Sequence, residues 1–442
     1  MEQLINVSSI DGRYNKYTKS LNELFSEYGL FKYRLYIEIN YYIFLLKFLN
    51  IKCNHDKILK IYEDFNVEEC LEIKAIELKI NHDVKAVEYY IKQKFQELEI
   101  LNCNYIHFGL TSQDINNTAI SLSIKHYLTD FYYSKMEKIL SILNSKSNEW
   151  KNIIMLSRTH GQSAVPTTLG KEIKVFSYRI EKQLKHLKHI KIYTKFGGAV
   201  GNLNAHEYAF PEYQWVDFCN NFITSIGLYK SEYTTQIDNY ENLSEIFDNI
   251  KRINTILVDM CRDIWHYISI NYFTQHVNIK EVGSSTMPHK INPINFENAE
   301  GNLMLSITLF EFLSRKLPIS RLQRDLTDST VLRNLGSVFG HCEIAYENII
   351  SGLIKIEPNK KTIDDDLNKN IVVLSEGIQT ILRKHNYNNA YEKLKEFSRN
   401  NETITKEDLH NFIDNLEING LVKIQLYNLT LKNYIGNSKM VK

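Results

Sequence analysis

The stretch IFDNIKRINTILVDMCRDIWHY, residues 246–267, carries the clearest helix signal in the chain. Its apolar residues recur at alternating steps of four and three: Ile246, Ile250, Ile253, Leu257, Met260, Ile264 and Tyr267. This spacing lines one face of an α-helix and is typical of a seam that packs against other helices. The stretch therefore predicts a long amphipathic helix.

Two further stretches extend the helical prediction on either side. The same spacing runs from Ile173 through Ile190, and the stretch Leu303–Leu313 is apolar on nearly all sides, as in a helix buried in the middle of a bundle. Glycine and proline, which interrupt helices, are absent between Gly109 and Gly161. Together these patterns predict an all-α fold around a central bundle of long helices.

The length of 442 residues favours several domains, because one domain usually holds about 100–200 residues. We expect three: an N-terminal helical domain at 1–110, a central long-helix bundle at 111–357 and a C-terminal helical domain at 358–442. The first boundary falls around Gly109, and the second falls near Pro358, in the polar stretch EPNKKTIDDD that begins at Glu357.

Composition excludes several functional classes. The 53 Lys and Arg residues balance 52 Asp and Glu residues, so no overall charge favours nucleic acid or a membrane surface. The six cysteines form no CxxC pair, and the histidines show no metal-binding spacing, so we expect no metal and no cofactor. The N-terminus lacks a signal-peptide pattern, and no run of 18 apolar residues occurs, so we expect a soluble cytoplasmic protein.

Three polar islands interrupt the helical pattern and are candidate active-site segments. GSSTMPHKINP, residues 283–293, gathers hydroxyls, a lysine and an asparagine in one loop, a set suited to a carboxylate being turned into a carbanion. SRTHGQSAVPTTLGKE, residues 157–172, places His160 just before a helix that Pro166 and Thr167 can start. IHFGLTSQDINN, residues 106–117, contains Thr111 and Asp114 at capping-box spacing, and such a helix start can bind an anion.

These islands resemble the three motif regions of the fumarase and aspartase superfamily. SSIDGRY near the start, NHDVKAVEY at 81–89, YTTQI at 233–237 and LQRDLTDSTVLRN at 322–334 resemble, more narrowly, the bacterial-type adenylosuccinate lyase branch. The resemblance covers nearly the whole chain. It implies β-elimination of fumarate from adenylosuccinate, giving AMP, and from the succinylated aminoimidazole carboxamide ribotide of purine biosynthesis.

The same resemblance implies roles for individual residues. Ser284 matches the base that removes the succinyl proton, and His160 matches the acid that protonates the departing nitrogen. Among the remaining catalytic groups, His82 matches a second active-site histidine, Glu297 matches the carboxylate that orients the acid histidine, and Lys290 matches a position that binds the succinyl carboxylates. Thr111, Ser112, Gln236 and Asn292 also match positions that bind these carboxylates. Arg13, Tyr14, Arg324, Ser329 and Arg333 match nucleotide-binding positions chiefly around the phosphate, and Asn81 and Asp83 match further substrate-binding positions.

The resemblance also implies an assembly. We expect a homotetramer whose long central helices form one core, with each active site shared between subunits and a small nucleotide as the substrate. Two alternatives stay open: another lyase of the superfamily, such as an argininosuccinate lyase, and a non-catalytic helical scaffold that kept the fold. Fumarate release from a succinyl-amine distinguishes the enzymes from the scaffold.

Overall fold

The computed structural model describes residues 5–276, 287, 289–399 and 404–440, and it confirms the all-α prediction. The helices are α1 (Asn15–Thr18), α2 (Asn22–Phe25), α3 (Glu27–Phe48), α4 (His55–Glu63), α5 (Val67–Ile80), α6 (Asp83–Glu97), α7 (Ser112–His126), α8 (Tyr133–Glu149), α9 (Leu169–His189), α10 (Asn204–Ala209), α11 (Trp215–Ser225), α12 (Glu241–Ser269), α13 (Ile294–Lys316), α14 (Thr327–Leu332), α15 (Leu335–Lys355), α16 (Lys360–Lys369), α17 (Ser375–Lys384), α18 (Ala390–Arg399), α19 (Lys406–Asp414) and α20 (Gly420–Tyr427).

The strands are short. They are β1 (Ile154–Thr159), β2 (Gln162–Thr168), β3 (Tyr193–Thr194), β4 (Tyr229–Lys230), β5 (Phe273–Gln275) and β6 (Ile356–Pro358). They pair as three two-stranded ribbons, β1 with β2 and β5 with β6 antiparallel, β3 with β4 parallel. Each ribbon connects two loop segments, and the described strands form no β-sheet layer in the core.

The chain divides into two compact units, each built from three stretches of sequence. The first unit comprises the described residues of 1–137, 183–258 and 299–347, and the second those of 138–182, 259–298 and 348–442. The three-domain division stays a prediction.

Helix α3 organises the first unit. Its start is capped by Ser26, whose hydroxyl accepts a hydrogen bond from the Gly29 amide at 3.0 Å. One set of its apolar residues, including Leu35, packs into a cluster with α4, α5 and α6, and another set, including Tyr41, packs with α7 and α11. A helix that is apolar on two faces is buried, so α3 lies in the core of this unit.

The long-helix predictions are confirmed with one correction. Helix α12 contains the whole 246–267 seam, and α9 contains the second seam except for its last residue, Ile190. Within α13, however, Met304, Leu305 and Phe312 are 44%, 52% and 46% exposed, so the helix is not buried on all sides within one chain. The prediction was wrong in this respect because these side chains lie on the face of α13 away from the core.

The second unit contains the β1–β2 hairpin and a C-terminal helical cluster. The prediction that Pro166 and Thr167 start a helix was wrong: both lie in β2, where Pro166 is opposite Leu156, and α9 begins at Leu169. Proline is tolerated there because each strand of a two-stranded ribbon is an edge strand. Leu156 packs among the C-terminal helices, which anchors the hairpin. In the part of the chain that the structure describes, no helix is long and apolar enough to cross a bilayer.

Candidate active site

The predicted capping box at the start of α7 is formed. Thr111 is the N-cap residue, and the Asp114 carboxylate accepts a hydrogen bond from the Thr111 amide at 2.8 Å. Gly109, just before it, has a φ of +70°, and a Cβ there would lie 2.5 Å from the His206 ring. Backbone conformation and packing therefore both fix the segment that carries Thr111 and Ser112.

Asp114 also holds the glycine-rich turn at 197–202. Its Oδ1 accepts hydrogen bonds from Lys195 Nζ at 2.6 Å and from the Gly197 amide at 2.7 Å, and the Asp114 and Lys195 side chains are fully buried. Burial lowers the pKa of Lys195, and the Asp114 carboxylate opposes that shift. The sequence analysis did not identify Lys195, because its partner is 81 residues away in the chain.

A polar cluster in the first unit brings together three of the predicted substrate-binding positions, Arg324, Ser329 and Gln236. Arg324 donates to Ser329 Oγ at 3.0 Å and to Gln236 Oε1 at 3.4 Å. Gln236 also donates to the carbonyl of Ala199 at 3.1 Å, and Gln113 lies 3.5 Å from Ser329 Oγ. The cluster thus joins the glycine-rich turn, the first turn of α7 and α14.

Buried groups support this cluster from behind. Asn117 donates to the Tyr240 hydroxyl at 2.7 Å, and Tyr240 donates to Asp328 Oδ2 at 2.9 Å. Asp328 Oδ1 lies 3.7 Å from Arg324 Nε. Burial raises the pKa of Tyr240 well above its usual value, so the hydroxyl stays a donor to the carboxylate.

Arg333 is held by Asp83. Asp83 Oδ2 accepts from Arg333 Nη2 at 2.9 Å and from Arg34 Nη2 at 2.7 Å. Partial burial opposes ionisation of Asp83, but the charge and hydrogen bond of Arg34, with the Val84 amide and Arg333, lower its pKa to about 2. A cavity of about 300 Å³ beside this pair is lined in part by Arg34, Gln113, Ser329 and Arg333. Of the two arginines only Arg333 is exposed, so the cavity offers an anion one accessible cation together with the side chains of Gln113 and Ser329.

The remaining first-unit predictions lie at helix termini or near the start of the chain. Asn81 has a left-handed conformation at the end of α5, and His82 caps α6 by accepting the Lys85 amide at Nδ1. Arg13 is exposed, with its guanidinium 5.8 Å from the ring centre of Tyr14. No described contact tests whether these residues bind substrate.

His160 lies at the tip of the β1–β2 hairpin in the second unit. Thr159 pairs with Gln162, so His160 and Gly161 form a two-residue loop, and both have positive φ, 52° and 72°. Positive φ at both loop residues is the requirement of a type I′ turn. The imidazole is therefore presented at the end of a tight hairpin.

The same hairpin is tied to the C-terminal helices. Arg158 Nη2 donates to Asp366 Oδ2 on α16 at 2.6 Å, and the Tyr272 hydroxyl donates to the same oxygen. Thr168 donates to the carbonyl of Ser438 at 2.8 Å. These contacts fix the base of the hairpin that carries His160.

The third island is described in part. Ser284 lies outside the described residues, and Lys290 and Asn292 lie in the segment that leads into α13. Glu297, in the first turn of α13, accepts a hydrogen bond from Trp265 Nε1 at 3.0 Å. Its proposed role toward His160 stays a prediction. Within the described ranges, no three His, Cys, Asp or Glu residues are placed to hold a metal ion.

The chain matches known proteins over nearly its whole length. A family model described as "Lyase" matches residues 12–306, and one described as "Adenylosuccinate lyase C-terminal" matches residues 320–435. The chain is 48% identical to an adenylosuccinate lyase of Dictyostelium discoideum, with 99% of this chain and 97% of the relative covered. It is 43% identical to an adenylosuccinate lyase of Escherichia coli K12, with 99% and 98% covered.

Solved structures share the fold at low sequence identity. A fumarate lyase from Mesorhizobium sp. BNC1 matches with a TM-score of 0.77 at 16% identity, covering 96% of each chain. A 3-carboxy-cis,cis-muconate lactonizing enzyme from Pseudomonas putida matches with a TM-score of 0.77 at 19% identity, covering 97% of this chain and 96% of that one. These two likenesses concern the fold alone.

Proposed function

This chain belongs to the adenylosuccinate lyase family, and on that premise we propose that it cleaves adenylosuccinate to AMP and fumarate. We extend the proposal to the succinylated aminoimidazole carboxamide ribotide, which carries the same succinyl-amine. The observation that carries it is the near-complete match to relatives named adenylosuccinate lyase. The cluster of Arg324, Ser329 and Gln236 supports it, because an anionic nucleotide needs such local donors in a chain of balanced charge.

The proposed reaction is a β-elimination. Ser284 reacts as its alkoxide, stabilised by the positive charge of Lys290, and takes a proton from the succinyl carbon beside a carboxylate to become the neutral hydroxyl. The electron pair of the broken C–H bond forms the C=C bond of fumarate, and the C–N bond breaks. His160 donates a proton to the departing nitrogen, which would otherwise leave as an anion. Lys290 and Asn292 stabilise the negative charge that develops on the carboxylate, the type of interaction whose loss typically costs about 10²–10³ in turnover.

The positioning of His160 fits this role. A two-residue turn whose base is tied to α16 fixes the backbone that carries the exposed imidazole, which lowers the entropy cost of positioning the acid. His82 is proposed as the second histidine and Glu297 as the carboxylate that orients the acid. Arg13, Tyr14, Asn81, Asp83, Thr111, Ser112 and Arg333 complete the proposed substrate contacts.

The direct test follows product formation. Purified protein mixed with adenylosuccinate should give AMP and fumarate in equal amounts, and argininosuccinate should give none. Folded protein that releases fumarate only from argininosuccinate would support the other lyase, and folded protein inactive on both would support the scaffold. Ser284→Ala should lower turnover by several orders of magnitude while leaving the thermal midpoint unchanged, because a loop hydroxyl contributes little to a core.

We also propose that the chain forms a homotetramer with shared active sites, in the cytosol. The exposed Met304, Leu305 and Phe312 on α13 support the assembly, because such apolar side chains are usually covered by a partner. All six cysteines lie within the described residues and none forms a disulfide, which supports a reducing compartment.

Mutant mixing tests the shared sites. Inactive Ser284→Ala and His160→Ala proteins, dissociated and reassociated together, should form hybrids in which some sites lack both substitutions, so activity should return. Proven hybrids that stay inactive would show that base and acid come from one chain. A monomer by ultracentrifugation at micromolar concentration would reject the assembly.

A further inference from the structure

Arg34 is a buried cation for which the proposed elimination has no use. It lies on α3, is 3% exposed, and its guanidinium lies 5.3 Å from the ring centre of Phe31. Its Nε donates to Asn116 Oδ1 at 2.8 Å, and its Nη2 donates to Asp83 Oδ2 at 2.7 Å. One guanidinium therefore joins α3 to the start of α6 and to the second turn of α7.

Both partners of Arg34 belong to segments that carry proposed substrate contacts. Asp83 follows Asn81 and His82, and Asn116 follows Thr111 and Ser112 by one helical turn. A buried arginine costs several kcal/mol to desolvate unless its donors are paired. Breaking these hydrogen bonds would leave the buried Arg34 charge without partners. Arg34 therefore fixes the two segments relative to each other.

Asp83 passes this constraint to the phosphate-binding arginine. The oxygen that Arg34 binds, Oδ2, also accepts from Arg333 Nη2 at 2.9 Å. Arg333 is 48% exposed, so burial alone does not fix its long side chain. Arg34 and the Val84 amide set the orientation of the Asp83 carboxylate, and that carboxylate sets the direction of Arg333.

We propose that Arg34 is a positioning residue that holds Arg333, through Asp83, in the conformation that receives the phosphate of the nucleotide. The proposal rests on the proposed function above. Arg34 Nε and Nη2 are bonded to Asn116 and Asp83, and Nη1, which has no hydrogen-bond partner among the described residues, is buried as well. The guanidinium therefore acts through Arg333 rather than on the ligand. The cavity of about 300 Å³ that both arginines line is the space in which the phosphate would meet Arg333.

Loss of Arg34 has a defined consequence in this arrangement. Without Arg34, Asp83 still binds Arg333, but the Asp83 carboxylate loses the hydrogen bond that orients it. Arg333 therefore samples other conformations. The apparent affinity for the nucleotide falls in proportion to the population of the Arg333 conformation that can bind it. The effect should appear in the KM for adenylosuccinate and leave kcat nearly unchanged, because the phosphate is remote from the breaking C–N bond.

A double-mutant cycle tests this coupling. Arg34→Gln should raise KM by about tenfold to a hundredfold, the range that corresponds to one charged hydrogen bond. Arg34→Lys keeps the positive charge but lacks the forked guanidinium, so its KM should lie between those of Arg34→Gln and the wild type. In the Arg333→Gln background, Arg34→Gln should raise KM by less than about twofold, because Arg34 acts through Arg333.

Arg179→Gln is the matched control, since Arg179 forms an exposed ion pair with Asp259. Its KM and thermal midpoint should match those of the wild type. If Arg34→Gln fails to fold, Arg34→Lys alone and in the Arg333→Gln background carries the test. The proposal would be overturned if the increases in KM caused by Arg34→Gln and Arg333→Gln multiply in the double variant. A fall in kcat with unchanged KM in Arg34→Gln would also overturn it. A wild-type protein that leaves adenylosuccinate uncleaved would instead overturn the proposed function.

Discussion

Replacing Lys195 by methionine should strongly destabilise the first unit. Lys195 and Asp114 have no exposed side-chain surface, and their charged atoms lie 2.6 Å apart. Methionine has a similar length but leaves the Asp114 charge buried with three backbone amides as its remaining donors. Breaking a buried pair in this way costs about 3–5 kcal/mol.

That loss is a large share of a typical total stability of about 5–15 kcal/mol, so it should be readily measured. Urea unfolding followed by circular dichroism should show a clear fall in the midpoint concentration for Lys195→Met. Lys188→Met, which breaks the exposed pair with Glu137, is the control and should cost at most about 1 kcal/mol. The double variant Lys195→Met with Asp114→Asn should recover part of the loss, because the buried charge is gone.

The functional effect should follow the structural one. Asp114 holds the Thr111 amide and the Gly197 amide, so its reorientation would displace the proposed carboxylate-binding segment and lower kcat/KM. A Lys195→Met protein as stable as the Lys188→Met control would refute the reasoning, because it would mean that Asp114 is not an ionised carboxylate dependent on Lys195.

Three further outcomes are expected. His160→Asn should keep the hairpin, since asparagine tolerates positive φ, yet lose several orders of magnitude of turnover at an unchanged thermal midpoint; activity near that of the wild type would assign the acid elsewhere. Burial lowers the pKa of His206 to about 4, so unfolding takes up a proton between pH 6.5 and 4. The free energy of unfolding should therefore fall by up to about 3 kcal/mol as the pH decreases through that window. Urea titrations should show a shallower pH dependence for His206→Gln; an equal slope would contradict this. Arg333→Ala and Arg13→Ala should mainly raise KM for the nucleotide, and an unchanged KM in both would favour the other superfamily lyase.

Local sequence patterns predicted the features that depend on near neighbours in the chain. The seam in α12 follows a fixed helical period, and the capping box at Thr111 joins residues three apart, so both could be predicted from the sequence. The hairpin around His160 was missed because Pro166 and Thr167 also suit the start of a helix, and the choice depends on pairing with β1.

Long-range partners had no comparable signal. Arg34 reaches Asp83 across 49 residues and Asn116 across 82, and Tyr240 reaches Asp328 across 88. Nothing in the sequence indicates that these residues pair with each other, because the contacts arise only when helices pack. The link between the glycine-rich turn and Asp114 through Lys195 likewise required the folded chain.

Binding of AMP tests most directly whether the cluster around Arg324, Ser329 and Arg333 holds the phosphate of the proposed substrate. Calorimetric titration of the wild-type protein should show AMP binding at least about tenfold more tightly than adenosine, since each charged hydrogen bond contributes about 1.5–3 kcal/mol. In Arg333→Ala the advantage of AMP over adenosine should shrink, while adenosine binding stays the same. Equal affinities for AMP and adenosine in the folded wild-type protein, or an AMP affinity that Arg333→Ala leaves unchanged, would contradict the assignment of the nucleotide site.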